Sequence, residues 1–333
     1  MTASYNSRTT GLAEQVAASL RAQARWKWWE LTLFIVMAAS WWAPDQYVPL
    51  LNQIAITAMF AVSLDLILGY AGVVSLGQAA FFGLGAYGAA LFGMHVSPEP
   101  VIGLMVATIA GSAVGFGCSF LILRGTDLTR LMVTIGVCSV LYEMANRFAG
   151  LTGGADGLQV GTVAPLLGQF EFDFVGRVGY GYTLVVLAGS LLLSRRLVQS
   201  DYGVSLQALR DNALRASAIG LSVNSRIVAI YTVAAALAAA AGALQAQTTA
   251  FASLDVLAFH TSADLLLMVV IGGAGYLYGG IFGAIAFKVL HHLFSSWTPQ
   301  YWTFWLGLFL VVLMLVGRDR LVRPWTWFKR GPA

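Results

Sequence analysis

Charge is what this 333-residue sequence has least of. Asp, Glu, Lys and Arg make up 10% of it, against about 25% in soluble domains. With 58% hydrophobic residues, that excludes an ordinary water-soluble domain. Cysteine is nearly absent as well. Cys118 and Cys138 both fall inside apolar runs, so neither a disulfide nor a cysteine metal site is expected. The histidines, His95, His260, His291 and His292, form no H-x-x-x-H or H-E-x-x-H pattern. A Gly-x-Ser-x-Gly elbow and a Gly-Lys-Ser/Thr phosphate loop are missing too. The chain is therefore read as a non-enzyme with no cofactor and no metal. Any nucleotide energy it uses must come from another subunit. The net charge of +4 does not point to nucleic acid, because the basic residues gather at the ends and in one internal stretch, as membrane topology demands. Period-2 alternation is lacking, which removes a β-barrel.

What is present is a series of apolar runs rich in Ala, Leu and Gly. The expectation is an all-α polytopic membrane protein. Ten spans are predicted: Trp29 to Ala43, Pro49 to Leu68, Gln78 to Met94, Val101 to Leu123, Leu131 to Phe148, Gly179 to Leu193, Ile227 to Ala246, Ser262 to Ala274, Leu277 to Phe294 and Tyr301 to Val316. Residues 1–28 form a basic cytoplasmic lead, in which Leu12, Val16 and Leu20 suit a surface amphipathic helix or belong to a plain tail. The membrane-spanning body runs from 29 to 317, and 318–333 is a basic cytoplasmic tail. Trp28, Trp29, Trp41 and Trp42 read as interfacial anchors. Positive-inside parity fixes the count. Six crossings place the loop holding Arg195, Arg196, Arg210, Arg215 and Arg226 inside, and an odd number must follow to bring Arg318 to Arg330 inside too. A re-entrant hairpin near Gly275 is the alternative.

Glycine marks the most informative stretch. Gly69, Gly72, Gly77, Gly83 and Gly85 punctuate the turn and helix from Gly69 to Tyr87, with Ser75 and Gln78 at the helix mouth. Such interrupted helices build either close packing or solute pathways. The turns at Ile67–Gly72 and Ile271–Tyr276 hint at an internal duplication. Among ionisable groups, Asp65 is expected at the cytoplasmic interface, and Glu143 with Arg147 as an i, i+4 pair. Asp264 is expected near the outer end of its span, and Lys288 shares a face with His291 and His292 with no carboxylate obvious beside it. In the cytoplasmic loop of about 199–224, helical spacing aligns Ala213, Ala216 and Gly220 as a small-residue stripe flanked by Arg210 and Asp211. The outer loop, residues 150–178, contains the turn-rich Leu151-Thr152-Gly153-Gly154-Ala155-Asp156-Gly157-Leu158, read as a connector or as an ordered rim.

Taken together, Gly69–Gly72 with Ser75–Gly83 and Gly85–Tyr87, Leu151–Leu158, Leu209–Asn212 through Ala216 to Gly220, Ala234–Leu244 and Gly272–Gly275 with Gly279–Gly280 resemble the permeases of branched-chain amino acid ABC importers, of the LivM-like kind. The resemblance covers roughly 45–317. It implies a bacterial inner-membrane importer with a second, LivH-like permease, two cytoplasmic ATP-binding subunits and an external substrate-binding protein. It also implies that the loop from Tyr202 to Leu221 docks on the ATPase through Arg210, Asp211, Ala216 and Gly220. For the translocation pathway it suggests Gly69, Gly72, Ser75, Gln78, Gly83 and Asn146. Two departures stand out: the docking segment Asn212–Ala216 lacks the family's Glu, and Gln78 stands where many members have His. The rival reading is a self-sufficient secondary transporter or channel for a small polar solute such as urea or an amide.

Overall fold

The computed structural model describes residues 28–123, 125, 127–160, 164–165, 176–297, 299–301, 304–309 and 311. The proposed N-terminal amphipathic helix, the basic tail and half of the tenth span lie outside them. The helices are α1 (Trp28–Ala39), α2 (Val48–Asp65), α3 (Gln78–His95), α4 (Pro100–Leu123), α5 (Asp127–Arg147), the short α6 (Ala149–Thr152), α7 (Arg177–Val198), α8 (Asp201–Asp211), α9 (Ala213–Ala218), α10 (Val223–Thr249), α11 (Phe259–Gly272) and α12 (Gly279–Trp297).

Small residues decide the packing. Gly85 lies on the backbone of Ala239, Gly242 on that of Phe82, and Gly111 and Gly115 on Ala239 and Ala235. A side chain at any of these positions would push apart α3, α4 and α10, whose association without a hydrophobic driving force depends on such close approach. Helix α10 is the hub, 72% buried in its apolar window, and α5 is peripheral, 17% buried in its window.

Among the described residues, five helical stretches are long and apolar enough to cross a membrane: Asp45–Tyr70, Pro100–Leu123, Leu128–Arg147, Arg177–Val198 and Val223–Thr249. Ten full-length helical spans are not what the lengths deliver. The stretch read as the eighth span is the 14-residue α11, about 21 Å long at 1.5 Å per residue, short of a hydrocarbon core of about 30 Å.

Contacts show where α11 begins. The thiol of Cys138, midway along α5, donates to the Leu257 carbonyl at 3.2 Å, and Leu257 packs on Gly83. After α10, the chain passes a two-residue antiparallel ribbon, Phe251–Ala252 against Leu158–Gln159, and then a 3-10 helical turn, Leu254–Leu257. There α11 starts at the depth of the middle of α5. The ribbon is a small exception to the expected absence of strands. It shows the Leu151–Leu158 motif as an ordered turn, with Gly153, Gly154 and Gly157 all at positive φ.

Candidate transport and coupling site

Helix α2 ends in a π-helical turn, Leu66–Tyr70, and α11 ends at Gly272 before a turn to Gly279. These are the two segments with the hint of duplication, and they touch. A Cβ at Gly69 would overlap the Gly275 backbone. Gly275, at φ +86°, donates its N–H to Asp65 Oδ1 at 2.8 Å, and Leu277 N–H donates to the Tyr70 hydroxyl at 3.0 Å. Asp65 is therefore not a residue reaching for the cytoplasmic interface. It is wholly buried, and a buried carboxylate demands such a partner.

The third partner comes from the arginine-bearing loop of about 199–224. Arg210, at the end of α8, donates from a guanidinium nitrogen to the Gly69 carbonyl at 2.5 Å, and its stem lies against Gly72, at φ +70°. A hydrogen bond of this charged kind is worth about 1.5–3 kcal/mol. Three stretches far apart in sequence thus meet at one junction. Sequence reasoning set Arg210 beside a docking stripe. The structure turns it inward onto both glycine turns. Helix α8 is itself fixed to the start of α10: the Tyr202 hydroxyl donates to the Arg226 carbonyl at 2.7 Å, and Arg226 donates to the Ser205 hydroxyl. Burial pushes the Tyr202 phenol up to about 12, so it stays a neutral donor at ordinary pH.

Helix α9 follows. Asn212 caps it by accepting from the Arg215 N–H at 2.9 Å, and Gly220, at φ +87°, ends it. The small stripe does not form one continuous outer face. Ala216 is buried, while Leu214 and Ile219 project 83% and 75% exposed. Ala213, Asp211 and Gly220 are exposed, and a Cβ on Gly220 would meet nothing within 4 Å.

The proposed pathway residues divide. Gly69 and Gly72 belong to the junction. Ser75 and Gln78 are sealed inside the subunit, with 1% and 0% exposure. Neither amide atom of Gln78 has a hydrogen-bond partner among the described residues. Gly83 is filled by Leu257. Asn146 is exposed on α5, as are Glu143 and Arg147. No ion pair joins Glu143 to Arg147 among the described residues.

A buried ion pair escaped the sequence reading. Arg195, at the end of α7, contacts Glu30 of α1 at 3.1 Å, and both are buried. Glu30 lines a cavity of about 340 Å³ together with Trp29, Tyr70, Gln199, Gly275 and Tyr278. Only the i-independent pairing of two distant spans, invisible in a linear pattern, would have revealed it.

The comparisons with known proteins fit this arrangement. A family model described as the permease component of the branched-chain amino acid transport system matches residues 46–317. The chain belongs to this permease family. It is 27% identical over 331 residues to the high-affinity branched-chain amino acid transport system permease protein LivM of Escherichia coli (strain K12), covering 91% of this chain and 77% of the relative. The LivM protein of Salmonella typhimurium is 26% identical with the same coverage. A galactose/methyl galactoside import permease, MglC of Haemophilus influenzae, is 26% identical over 210 residues, 59% of each chain. No solved structure matches the chain. The chain is thus a multi-pass membrane permease, and its family is one of transport components rather than enzymes.

Proposed function

We propose that the chain is the LivM-like permease subunit of an ATP-driven inner-membrane importer and helps to form the pathway for branched-chain amino acids. A LivH-like permease, two cytoplasmic ATP-binding subunits and an external substrate-binding protein complete the system. Both termini lie in the cytoplasm. The polypeptide passes the membrane ten times, with α11 and the segment before it together making one passage. The cytoplasmic stretch of about 199–224 is the coupling loop.

One observation carries the mechanism. Arg210 ties that loop to the Gly69 and Gly275 turns. A push on α9 from an ATPase therefore reaches the inner ends of α2 and α11 through one rigid link. The exposed Leu214 and Ile219 are the contact that an ATPase groove takes, and the buried Ala216 backs them. Gly220 supplies the left-handed turn that presents them.

The test is purification of the assembled complex. Leu214→Asp with Ile219→Asp is expected to abolish co-purification of the ATP-binding subunits while the LivH-like permease stays bound. Retention of the ATPase by the double variant would remove the docking assignment. Family membership disfavours the self-sufficient transporter; uptake that follows a proton gradient without ATP would restore it.

A further inference from the structure

Ionisable side chains within membrane-spanning elements are costly and almost always face a bundle interior, a partner or a water-filled space. Most of those in this chain have a local explanation. Asp65 is bound at the glycine junction, Glu30 is paired with Arg195, and Arg177 is paired with Asp45 at 2.7 Å. Glu143 and Arg147 lie in the last two turns of α5; away from helix ends, the hairpin α11–α12 is the exception.

Its register follows from its glycines. Gly272 packs on the backbone of Gly279, and Gly283 on that of Met268, so the helices run antiparallel. Two turns further along each helix, Asp264 comes level with Lys288, and another turn brings His260 level with His291 and His292. The electrostatics agree: Asp264 lies within the field of both Lys288 and His260. The carboxylate missing beside Lys288 in the linear pattern is supplied by the neighbouring helix.

Two features set the pair apart. Asp264 and Lys288 are each partly exposed, and among the described residues no ion pair of 4.0 Å or less closes between them. Opposite charges that near, in a low dielectric, gain from contact; here they are held close but separate. They also lie deep. Helix α11 starts at the level of Cys138, midway along α5, and the Ser262 hydroxyl accepts from Ala79 N–H at the start of α3. Asp264 is therefore near the membrane middle, not at an outer rim. The opposite side of α11 is closed: Ser262, Leu265, Met268, Val269 and Gly272 are buried. The open side, carrying exposed Phe259 and His260, has α12 on one flank and α5 on the other. A side with these charges does not suit acyl chains.

We infer that Asp264 and Lys288, facing each other across the α11–α12 hairpin, form a midway binding site for the two charges of a zwitterionic amino acid. The Asp264 carboxylate takes the ammonium group and the Lys288 ammonium takes the carboxylate, at a helix whose N-terminus lies inside the membrane. The apolar side chain lies against Phe259. The pathway then runs over this open face, towards the second permease, rather than past Gln78. This inference rests on the importer reading above.

The test uses the full complex, with its partner permease, ATP-binding subunits and binding protein, in proteoliposomes, with leucine as the probe. Asp264→Asn and Lys288→Met are each expected to raise the KM for leucine uptake about tenfold, while ATP hydrolysis is still stimulated by the leucine-loaded binding protein. Lys288→Arg should recover most of the loss. Independently, Thr261→Cys in the otherwise native complex should react with a charged methanethiosulfonate reagent, and saturating leucine should slow that reaction several-fold. An unchanged KM in both charge variants, or labelling indifferent to leucine, overturns the inference. So does loss of the second permease from the charge variants, which would assign the pair to subunit contact. Failure of the unaltered complex to take up leucine would instead refute the importer reading itself.

Discussion

Two regions of this molecule, each marked by broken helices, do opposite things. The stretch from Gly69 to Tyr87 is dense in motif residues, and the fold closes it almost completely. Gly69 meets Gly275, Gly72 meets Arg210, Gly83 holds Leu257 and Gly85 meets Ala239, while Gln78 has no exposed surface. The α11–α12 hairpin carries few recognisable motifs beyond its glycines, yet it leaves Asp264, Lys288 and His260 on an open side. The lesson is physical. Glycine density in a membrane chain first reports where backbones meet, because helices can approach closely only without side chains. Sparse charge reports where something other than lipid must lie.

The sharpest break of that comparison is Gly85→Leu. The new side chain would overlap the Ala239 backbone, which α10 has no room to yield. The expected outcome is no folded chain recoverable from membranes in mild detergent, whereas Asp264→Asn extracts like the unaltered protein. Equal recovery of both would erase the distinction between closed and open regions.

A middle-sized effect is expected at the proposed coupling loop. Gly220→Val forces a β-branched residue into φ +87°, costing about 1–2 kcal/mol. With open space around it, the penalty is conformational rather than steric. Complex assembly should persist while leucine uptake per ATP hydrolysed falls a few-fold. Gly220→Asn, which tolerates positive φ, should lose much less. Equal losses in the two variants would mean that backbone conformation is not what matters there.

The smallest effect is expected at Gln78. Both its amide atoms are buried without a partner among the described residues, so Gln78→Leu removes an unsatisfied polar group at nearly constant volume. Thermal stability in detergent should be unchanged or slightly higher, and uptake should stay within twofold. A collapse of uptake with stability intact would put Gln78 back on the pathway.

Much of the architecture was legible in the sequence. The apolar runs give the long helices α2, α4, α5, α7 and α10, because each repeats enough Ala and Leu to satisfy a membrane. The boundary at Gln78 was readable from the glycines before it, and the loop carrying α8 and α9 from its arginines. Depth was not legible. An apolar run from Ser262 looks the same whether it starts at a surface or at mid-membrane; the Leu257–Cys138 and Ser262–Ala79 contacts distinguish the two. Pairing across sequence distance was hidden as well. Nothing in the linear pattern joins Glu30 to Arg195, or Asp264 to Lys288. Helical spacing alone also misses how the Ala213–Ala216–Gly220 stripe divides: Ala216 packs inward, Ala213 and Gly220 stay exposed, and Leu214 and Ile219 project furthest.

The junction at Gly69, Gly275 and Arg210 is where these regions join, and it carries the account. The measurement that tests it most directly is leucine uptake per ATP hydrolysed by the reconstituted complex bearing Arg210→Ala. The account predicts that the ATP-binding subunits stay attached, that ATP hydrolysis continues, and that uptake per ATP falls roughly tenfold, consistent with losing one charged hydrogen bond of about 1.5–3 kcal/mol. Uptake per ATP unchanged in that complex would contradict the link between the coupling loop and the glycine turns.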